Sequence, residues 1–302
     1  MNVASIDIGS NTVLLLIAEV KNDELRTIKN FYKAPRISKG LVKGKVIKKN
    51  SIKQLITILQ DYKKEIDKFD CRKIFIVGTN AFRIASNRKE ILEEVKKHTG
   101  FQIKIIDGHE EAKLSYLGAS LTLPGVKEKV VIDIGGGSTE VIYGKNKSIL
   151  FRNSFQTGVV SLTEMFLSEF PYGYRNFISI SEFLSQTFDE LLKNIPKQLP
   201  TIVVAGTPTT LSGINQNLKK YNEEKIEGSI LKLTEIQDIL SKMKKLNGKQ
   251  IREKFGEVVY GREDVILAGT LILVHLMKTL ALDRIYVSNK GLRYGNIVNN
   301  IN

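Results

Sequence analysis

The hydrophobic residues nearest the N-terminus form a short β-branched run that ends in an acidic residue and a polar turn. The segment Val3-Ala-Ser-Ile-Asp-Ile-Gly-Ser-Asn-Thr12 predicts a buried strand, with Asp7 at its end and small or hydroxyl residues in the turn that follows. The pattern returns in Val130-Val-Ile-Asp-Ile-Gly-Gly-Gly-Ser-Thr139, where Asp133 takes the place of Asp7. The chain is therefore predicted to contain the same β-hairpin twice.

The spacing of apolar residues predicts matching orders of strands and helices in the two halves. An amphipathic helix over 51–68 is predicted from apolar residues at helical spacing, namely Ile52, Leu55, Ile56, Leu59, Tyr62 and Ile66. The predicted strands are 2–8, 12–20, 24–33, 73–77 and 102–106, then 129–133, 139–144, 147–154, 201–204 and 284–288. The other predicted helices are 80–98, 158–168, 180–193 and 262–281, with three more that begin near 109, 207 and 291.

Two βββαβαβα halves are the simplest account of this order. They predict an α/β fold in which each lobe has a mixed five-stranded sheet flanked by helices. The turn-rich Leu123-Pro-Gly-Val126 is the predicted boundary between lobes 1–123 and 124–302, with the last helix a candidate to pack back on the first lobe. The polar segment 215–260 is predicted to be an insertion with one helix over 234–246.

Composition predicts a cytoplasmic globular protein. Of the 302 residues, 42% are hydrophobic and 26% are charged, which is ordinary for a soluble domain. No apolar run approaches the ~20 residues that span a bilayer, and the N-terminus lacks a secretory pattern, so no membrane partner is expected. The one cysteine, Cys71, excludes an intrachain disulfide and fits a reducing compartment.

The net charge of +14 allows two interpretations. It could attract a polyanionic substrate and speed its encounter, or it could reflect a general excess of lysine. Zinc-finger spacing, RNP aromatic motifs and basic-zipper heptads are all missing from the sequence, so nucleic acid is not expected as a partner. A homodimer is the assembly considered, because symmetric dimers are the commonest oligomers.

Both turns have the composition of an anion-binding loop. Glycine permits the backbone conformations in which several N–H groups point at one anion. A carboxylate beside each turn would repel phosphate unless a hard cation lay between them, so Asp7 and Asp133 are predicted ligands of Mg²⁺, with Mn²⁺ as an alternative. The plain alternative is a pair of hairpins with glycine-rich turns. The predicted phosphate-binding residues of the turns are Gly9, Ser10, Asn11, Thr12, Gly135, Gly136, Gly137, Ser138 and Thr139.

A set of motifs along the whole chain resembles the exopolyphosphatase/guanosine pentaphosphate phosphohydrolase (Ppx/GppA) family. Besides the two turns, these are Gly78-Thr-Asn-Ala-Phe-Arg83, Gly108-His-Glu-Glu-Ala-Lys-Leu114, Gly206-Thr-Pro-Thr-Thr210, Gly261-Arg-Glu-Asp264 and Ser288-Asn-Lys-Gly-Leu-Arg-Tyr-Gly295. The resemblance implies a duplicated actin-like ATPase (ribonuclease H-like) fold of the actin/Hsp70/sugar-kinase superfamily, with the active site in the cleft between the lobes. The chain is similar to the short, two-domain form of the family.

The resemblance also implies roles for individual residues. Glu111 is the expected general base, although Glu110 and Glu111 would both stabilise the first turn of a helix through its dipole. Glu140 is expected to be a metal or water-positioning partner, with a plain outward strand residue as the alternative. Arg83 follows a strand-end glycine and is expected to grip phosphate, with a surface salt bridge as the alternative.

The later glycine loop has two interpretations as well. Gly206 and Thr207 are expected to contact phosphate, or else to start a helix as capping residues. Lys113 departs from the arginine that is usual in relatives, and Arg293 and Gly295 are assigned packing roles and no chemistry.

The function implied is Mg²⁺-dependent release of the terminal orthophosphate of inorganic polyphosphate, with in-line attack by a water that Glu111 activates. The alternative within the same class is 5′-phosphohydrolysis of pppGpp. A superfamily ATP-dependent kinase and a non-catalytic alarmone sensor are more distant alternatives. Whichever applies, the expected partner is a polyanionic phosphate compound.

Overall fold

The computed structural model describes residues 1–10, 12–22, 24–37 and 46–301. Its contacts divide the chain into two compact units, Met1–Gly118 with Leu292–Asn302, and Ala119–Gly291. The predicted boundary at 123/124 falls shortly after this division, and the last helix groups with the first unit. No helix in the described ranges combines the length and the apolar character needed to cross a bilayer.

The first unit contains a five-stranded mixed sheet. Its order is β3-β2-β1-β4-β5, in which β1, β2 and β3 are antiparallel while β4 and β5 run parallel to β1. The elements are β1 (Asn2–Ile8), β2 (Val13–Lys21), β3 (Glu24–Lys33), α1 (Lys49–Lys68), β4 (Lys73–Gly78), α2 (Asn80–Ile84), α3 (Arg88–Thr99), β5 (Lys104–Ile105) and α4 (Gly108–Ser120).

The two faces of β1 have different neighbours. Ala4, Ile6 and Ile8 point into the core that α1 and α3 cover, because alternate residues of a strand share a face. Ser5 and Asp7 therefore point to the opposite face. On that face the last helix, α13 (Leu292–Ile301), packs on β1, and its Asn296 amide donates to Ser5 Oγ at 3.3 Å.

The second unit repeats this arrangement and adds to it. It contains β6 (Glu128–Ile134), β7 (Thr139–Lys145), β8 (Ser148–Phe155), α5 (Val159–Phe166), α6 (Tyr174–Thr187), α7 (Leu191–Asn194), β9 (Thr201–Val204), α8 (Gly206–Asn215), α9 (Glu223–Ile226), β10 (Ile230–Lys232), α10 (Leu233–Met243), α11 (Gly248–Phe255), α12 (Ile266–Thr279) and β11 (Arg284–Val287), with a 3₁₀ turn at Gly256–Val259. The sheet order is β10-β11-β9-β6-β7-β8.

The predicted fold class, two mixed sheets flanked by helices, is confirmed, but the second sheet has six strands and the prediction of five there is wrong. The sixth strand, β10, comes from the segment that was expected to be an insertion with one helix. β10 pairs antiparallel with β11, and Leu231, the partner of Ile285, is buried. Three residues are too few to show the alternation by which a strand is recognised in a sequence.

Candidate active site

The two glycine turns contain the same backbone hydrogen bond. Gly9 N donates to Thr12 O at 2.9 Å, and Gly135 N donates to Ser138 O at 2.9 Å. Each turn joins two antiparallel strands, in which Asp7 lies opposite Leu14 and Asp133 lies opposite Glu140. The hairpin is thus duplicated, and Glu140 of the second hairpin takes the position that Leu14 has in the first. The predicted phosphate ligand Asn11 lies outside the described residues.

Asp7 has a buried carboxylate oxygen with an unusual environment. The residue is partly exposed, yet Oδ1 is buried and accepts no hydrogen bond from the described part of the chain. Burial, and then the negative charge of Glu111, raise the pKa of Asp7 to about 7, while Arg293 acts in the opposite direction. Asp7 therefore lies near a second carboxylate and lacks a hydrogen-bond donor at one oxygen.

Glu111 is held at the start of α4 by an arginine. The backbone N–H groups of His109 and Glu110 both donate to Asp107 Oδ1 at 2.8 Å, so Asp107 caps the helix. Arg83 Nη1 donates to Glu111 Oε2 at 2.6 Å and to the Ile106 carbonyl at 3.0 Å. The arginine predicted to bind phosphate is therefore also the partner of the predicted base.

The neighbouring acidic residue has a different partner. Glu110 forms an ion pair with Lys104, on the strand that precedes α4. The sequence spacing alone did not decide whether Glu110 or Glu111 is the better candidate for the general base. In the folded unit, it is Glu111 whose charge raises the pKa of Asp7.

Helix α13 contributes Gly295, with the packing role that was expected, and Arg293, with an electrostatic role that the sequence did not indicate. Arg293 Nη1 donates to Asn30 Oδ1 at 2.7 Å, and its charge acts on Asp7. Gly295 packs directly on α4, because a Cβ added to it would overlap the Leu114 carbonyl oxygen. The close approach of the two helices is what brings Arg293 and Glu111 to the same face of β1, and it needs a residue without a side chain.

In the second unit, Glu140 accepts two hydroxyl hydrogen bonds. Ser138 Oγ donates to Oε1 at 2.7 Å and Ser154 Oγ donates to the same oxygen at 2.6 Å. Thr139 is buried and its hydroxyl donates to the Thr157 carbonyl at 2.6 Å, so its side chain stabilises the hairpin and does not face solvent.

The second glycine turn is supported from behind by α5. Val159 N donates to Gly135 O at 2.9 Å and Val160 N donates to Gly136 O at 2.8 Å. Gly158 allows this contact, since a Cβ there would lie 2.5 Å from the Gly135 oxygen. The helix start thus holds the turn in place, a role for Gly158 that no sequence pattern predicted.

The third glycine loop follows β9 and begins with a strained residue. Ala205 has φ +76° and ψ −165°, a region occupied almost only by glycine. Gly206 lies under the guanidinium of Arg262, which would overlap any added Cβ. Thr207 is buried against Gly269 of α12, which gives its side chain a packing role. Arg262, which packs on this loop, was not among the predicted site residues, although it lies in a quoted motif.

Most of the chain matches a known protein family. Residues 16–302 match the Ppx/GppA phosphatase family. The chain belongs to this family. Among solved structures, the Ppx/GppA family member of Aquifex aeolicus is 32% identical, covers 100% of this chain and 97% of its own, and has a TM-score of 0.89.

Three of the curated relatives of this Ppx/GppA family member differ in name. The bifunctional 3-dehydroquinate synthase/phosphatase of Fusobacterium nucleatum is 32% identical over 99% of this chain, which spans only 46% of that relative. Exopolyphosphatase 2 of Mycobacterium tuberculosis is 27% identical, and the match covers 97% of this chain and 96% of the relative. The guanosine-5′-triphosphate,3′-diphosphate pyrophosphatase of Vibrio vulnificus is 27% identical over 97% of this chain and 58% of its own length.

Proposed function

We propose that this chain hydrolyses the terminal phosphoanhydride bond of inorganic polyphosphate and releases orthophosphate. The observation that carries the proposal is the pair formed by Asp7 and Glu111. Asp7 has a buried oxygen with no donor among the described residues, and Glu111 adds a second negative charge close to it. Such a pair favours a cation and an oriented water, which are what phosphoryl transfer needs.

Asp7 fits a Mg²⁺ ligand. Its free Oδ1 supplies a hard oxygen, and Mg²⁺ commonly uses one or two carboxylates and fills its other positions with water and phosphate oxygens. Within the described residues, no three His, Cys, Asp or Glu side chains cluster as a larger metal site. When bound, Mg²⁺ would neutralise charge on the substrate phosphates. Asp133 and Glu140 stay predicted metal ligands.

Glu111 is proposed to accept the proton of the attacking water. The water oxygen forms a bond to the terminal phosphorus, the bridging P–O bond breaks, and the shortened polyphosphate leaves with the electron pair. Arg83 fixes the carboxylate of Glu111 through its 2.6 Å hydrogen bond, so that Oε1 and Oε2 keep one orientation. The turn residues Gly9, Ser10 and Gly135 to Ser138 are proposed to donate hydrogen bonds to the phosphates.

Two observations favour polyphosphate over pppGpp. The net charge of +14 favours capture of an extended polyanion. The relative named exopolyphosphatase 2 matches from end to end, whereas the relative named as a guanosine-polyphosphate pyrophosphatase is matched over 58% of its length. Hydrolysis of pppGpp is the second candidate, because the same base and phosphate turns would serve it.

The test is phosphate release from long-chain polyphosphate, pppGpp and ATP, each with Mg²⁺ and with EDTA. We expect Mg²⁺-dependent release, fastest from polyphosphate, and a fall in kcat of about 10²- to 10⁴-fold in Glu111→Gln. Glu110→Gln is the matched control, since it alters the adjacent carboxylate, which pairs with Lys104. Equal rates in wild type and Glu111→Gln would overturn the role of Glu111, and faster release from pppGpp would reverse the order of substrates.

A further inference from the structure

A cavity in the second unit has an apolar wall and a basic rim. It has a volume of about 340 Å³ and lies among α6, α10 and α12. Its wall is formed by large apolar side chains, namely Phe177, Ile180, Leu184, Leu240, Leu271 and Val274. The volume is at the lower end of the range for small-molecule sites, which are typically about 300–1,000 Å³. None of these residues belongs to the hairpins or glycine loops described above.

The charged residues that line the cavity are all basic. They are Lys244, at the C-terminal end of α10, and the half-buried His275 and the exposed Lys278, which lie three residues apart near the end of α12. No aspartate or glutamate lines the cavity. In the part of the chain that the structure describes, neither lysine forms an ion pair.

Lys278 is close enough to Lys244 and to His275 for its charge to act on both. Burial, and then the charge of Lys278, lower the pKa of Lys244, and the same two causes lower the pKa of His275. Like charges that converge beside apolar surface raise the free energy of the folded chain, and a bound anion would remove this cost. Part of it is already offset, because both lysines lie at helix C-termini, where the helix dipole favours a cation.

Contacts with aromatic rings hold the side chains of Lys244 and His275 beside the cavity. Lys244 Nζ lies over the Phe177 ring, 4.5 Å from its centroid, so the ammonium stays beside the apolar wall and does not extend into solvent. The His275 ring packs on Phe188 with centroids 6.0 Å apart. Among the described residues, neither His275 nor Gln237, another lining residue, has a side-chain hydrogen-bond partner.

We propose that this cavity is a second ligand site, separate from the phosphohydrolase residues, that binds a small amphiphilic anion. The apolar chain or ring of the ligand would contact the wall, and its acidic head group would lie between Lys244 and Lys278. A long polyphosphate or a free phosphate does not fit this chemistry, because neither has an apolar part to cover the wall.

A matched pair of fluorescent probes tests the site in the full-length chain. 1-Anilinonaphthalene-8-sulfonate carries one negative charge, and N-phenyl-1-naphthylamine is the same molecule without the sulfonate. We expect Lys244→Met and Lys278→Met each to raise the Kd of the anionic probe about 3- to 10-fold, since one charge–charge contact near a surface contributes about 1 kcal/mol or more. The Kd of the neutral probe should stay within twofold, and octanoate should displace the anionic probe from wild type.

Two further variants locate the binding. Lys242→Met removes an exposed lysine of α10 that does not line the cavity, and it should leave both Kd values unchanged. Ser241→Trp places a large side chain at the cavity and should weaken both probes. The proposal is overturned if Lys242→Met raises the Kd of the anionic probe as much as the other lysine variants do, or if Ser241→Trp binds both probes as wild type does. It is also overturned if Lys244→Met and Lys278→Met change the Kd of the neutral probe as much as that of the anionic probe.

Discussion

Arg83 Nη1 donates to Glu111 Oε2 at 2.6 Å, in an ion pair between α2 and the first turn of α4. Both side chains are about three-quarters shielded from solvent, at 28% and 25% exposure, so the pair is more constrained than an ordinary surface salt bridge. If Glu111 is the general base, as proposed, the contact gives Arg83 a way to act on hydrolysis through Glu111, in addition to any contact with phosphate.

A double-mutant cycle separates these two roles of Arg83. If Arg83 acts by positioning Glu111, Arg83→Gln should lower kcat for polyphosphate by at least about 10-fold in wild type and by less than twofold in Glu111→Gln. Arg72→Gln, at an exposed arginine just before β4, is the control and should leave kcat unchanged. Losses that multiply in the double variant would instead indicate that Arg83 contacts the substrate independently.

The raised pKa of Asp7 predicts a pH-dependent stability of the metal-free chain. The folded-state pKa of about 7 exceeds the ordinary 3.8, so the folded chain binds the proton more tightly than the unfolded chain does. The free energy of unfolding should therefore fall as pH rises from about 4 to 7, by as much as about 4 kcal/mol. Asp7→Asn has no charge to lose, so its stability gain over wild type should be larger at pH 8 than at pH 5.

Urea denaturation in EDTA at the two pH values measures this gain. Asp61→Asn is the control, because Asp61 is exposed and pairs only with a neighbour on its own helix. A gain for Asp7→Asn that is the same at pH 5 and pH 8 would show that the carboxylate is not held protonated by its surroundings.

The contact between α13 and α4 depends on Gly295. An added Cβ would overlap the carbonyl oxygen of Leu114, so Gly295→Ala should force the helices apart and destabilise the chain by about 1–3 kcal/mol. Gly291→Ala, just before the same helix, meets no atom within 4 Å and should change stability by less than about 0.5 kcal/mol. Thermal unfolding of both variants measures the difference, and equal midpoints would contradict the close packing.

Ala205 is predicted to be a site where glycine stabilises the chain. At φ +76° and ψ −165° a residue with a Cβ is strained, so glycine would remove about 1–3 kcal/mol of backbone strain. Part of this gain is offset, because glycine also increases the entropy of the unfolded chain. Ala205→Gly should therefore raise the urea midpoint. Ala85→Gly is the contrasting variant, because Ala85 has an ordinary φ of −70° and should only lose stability. A lower midpoint for Ala205→Gly would show that the loop carries no backbone strain.

The sequence by itself determined the duplicated hairpins, the order of most elements and the family. These features are local, because a β-branched run, a glycine turn and the positions of Asp7 and Asp133 are each encoded within about ten residues. Strand 24–33 and strand 201–204 were predicted with the bounds that the structure has. The helical region predicted over 80–98 consists of two helices, since Ala85 is extended between α2 and α3.

Only the tertiary structure decided which side chains meet. Arg83 donates a hydrogen bond to Glu111, and Lys104 forms an ion pair with Glu110. Helix α13, which is the last helix in the sequence, places Arg293 near Asp7. The tertiary structure also placed Arg262 on Gly206 and gave the second sheet its sixth strand. Contacts between residues far apart in the chain depend on how whole elements pack, and hydrophobic periodicity specifies which face of an element is buried but not which partner covers it.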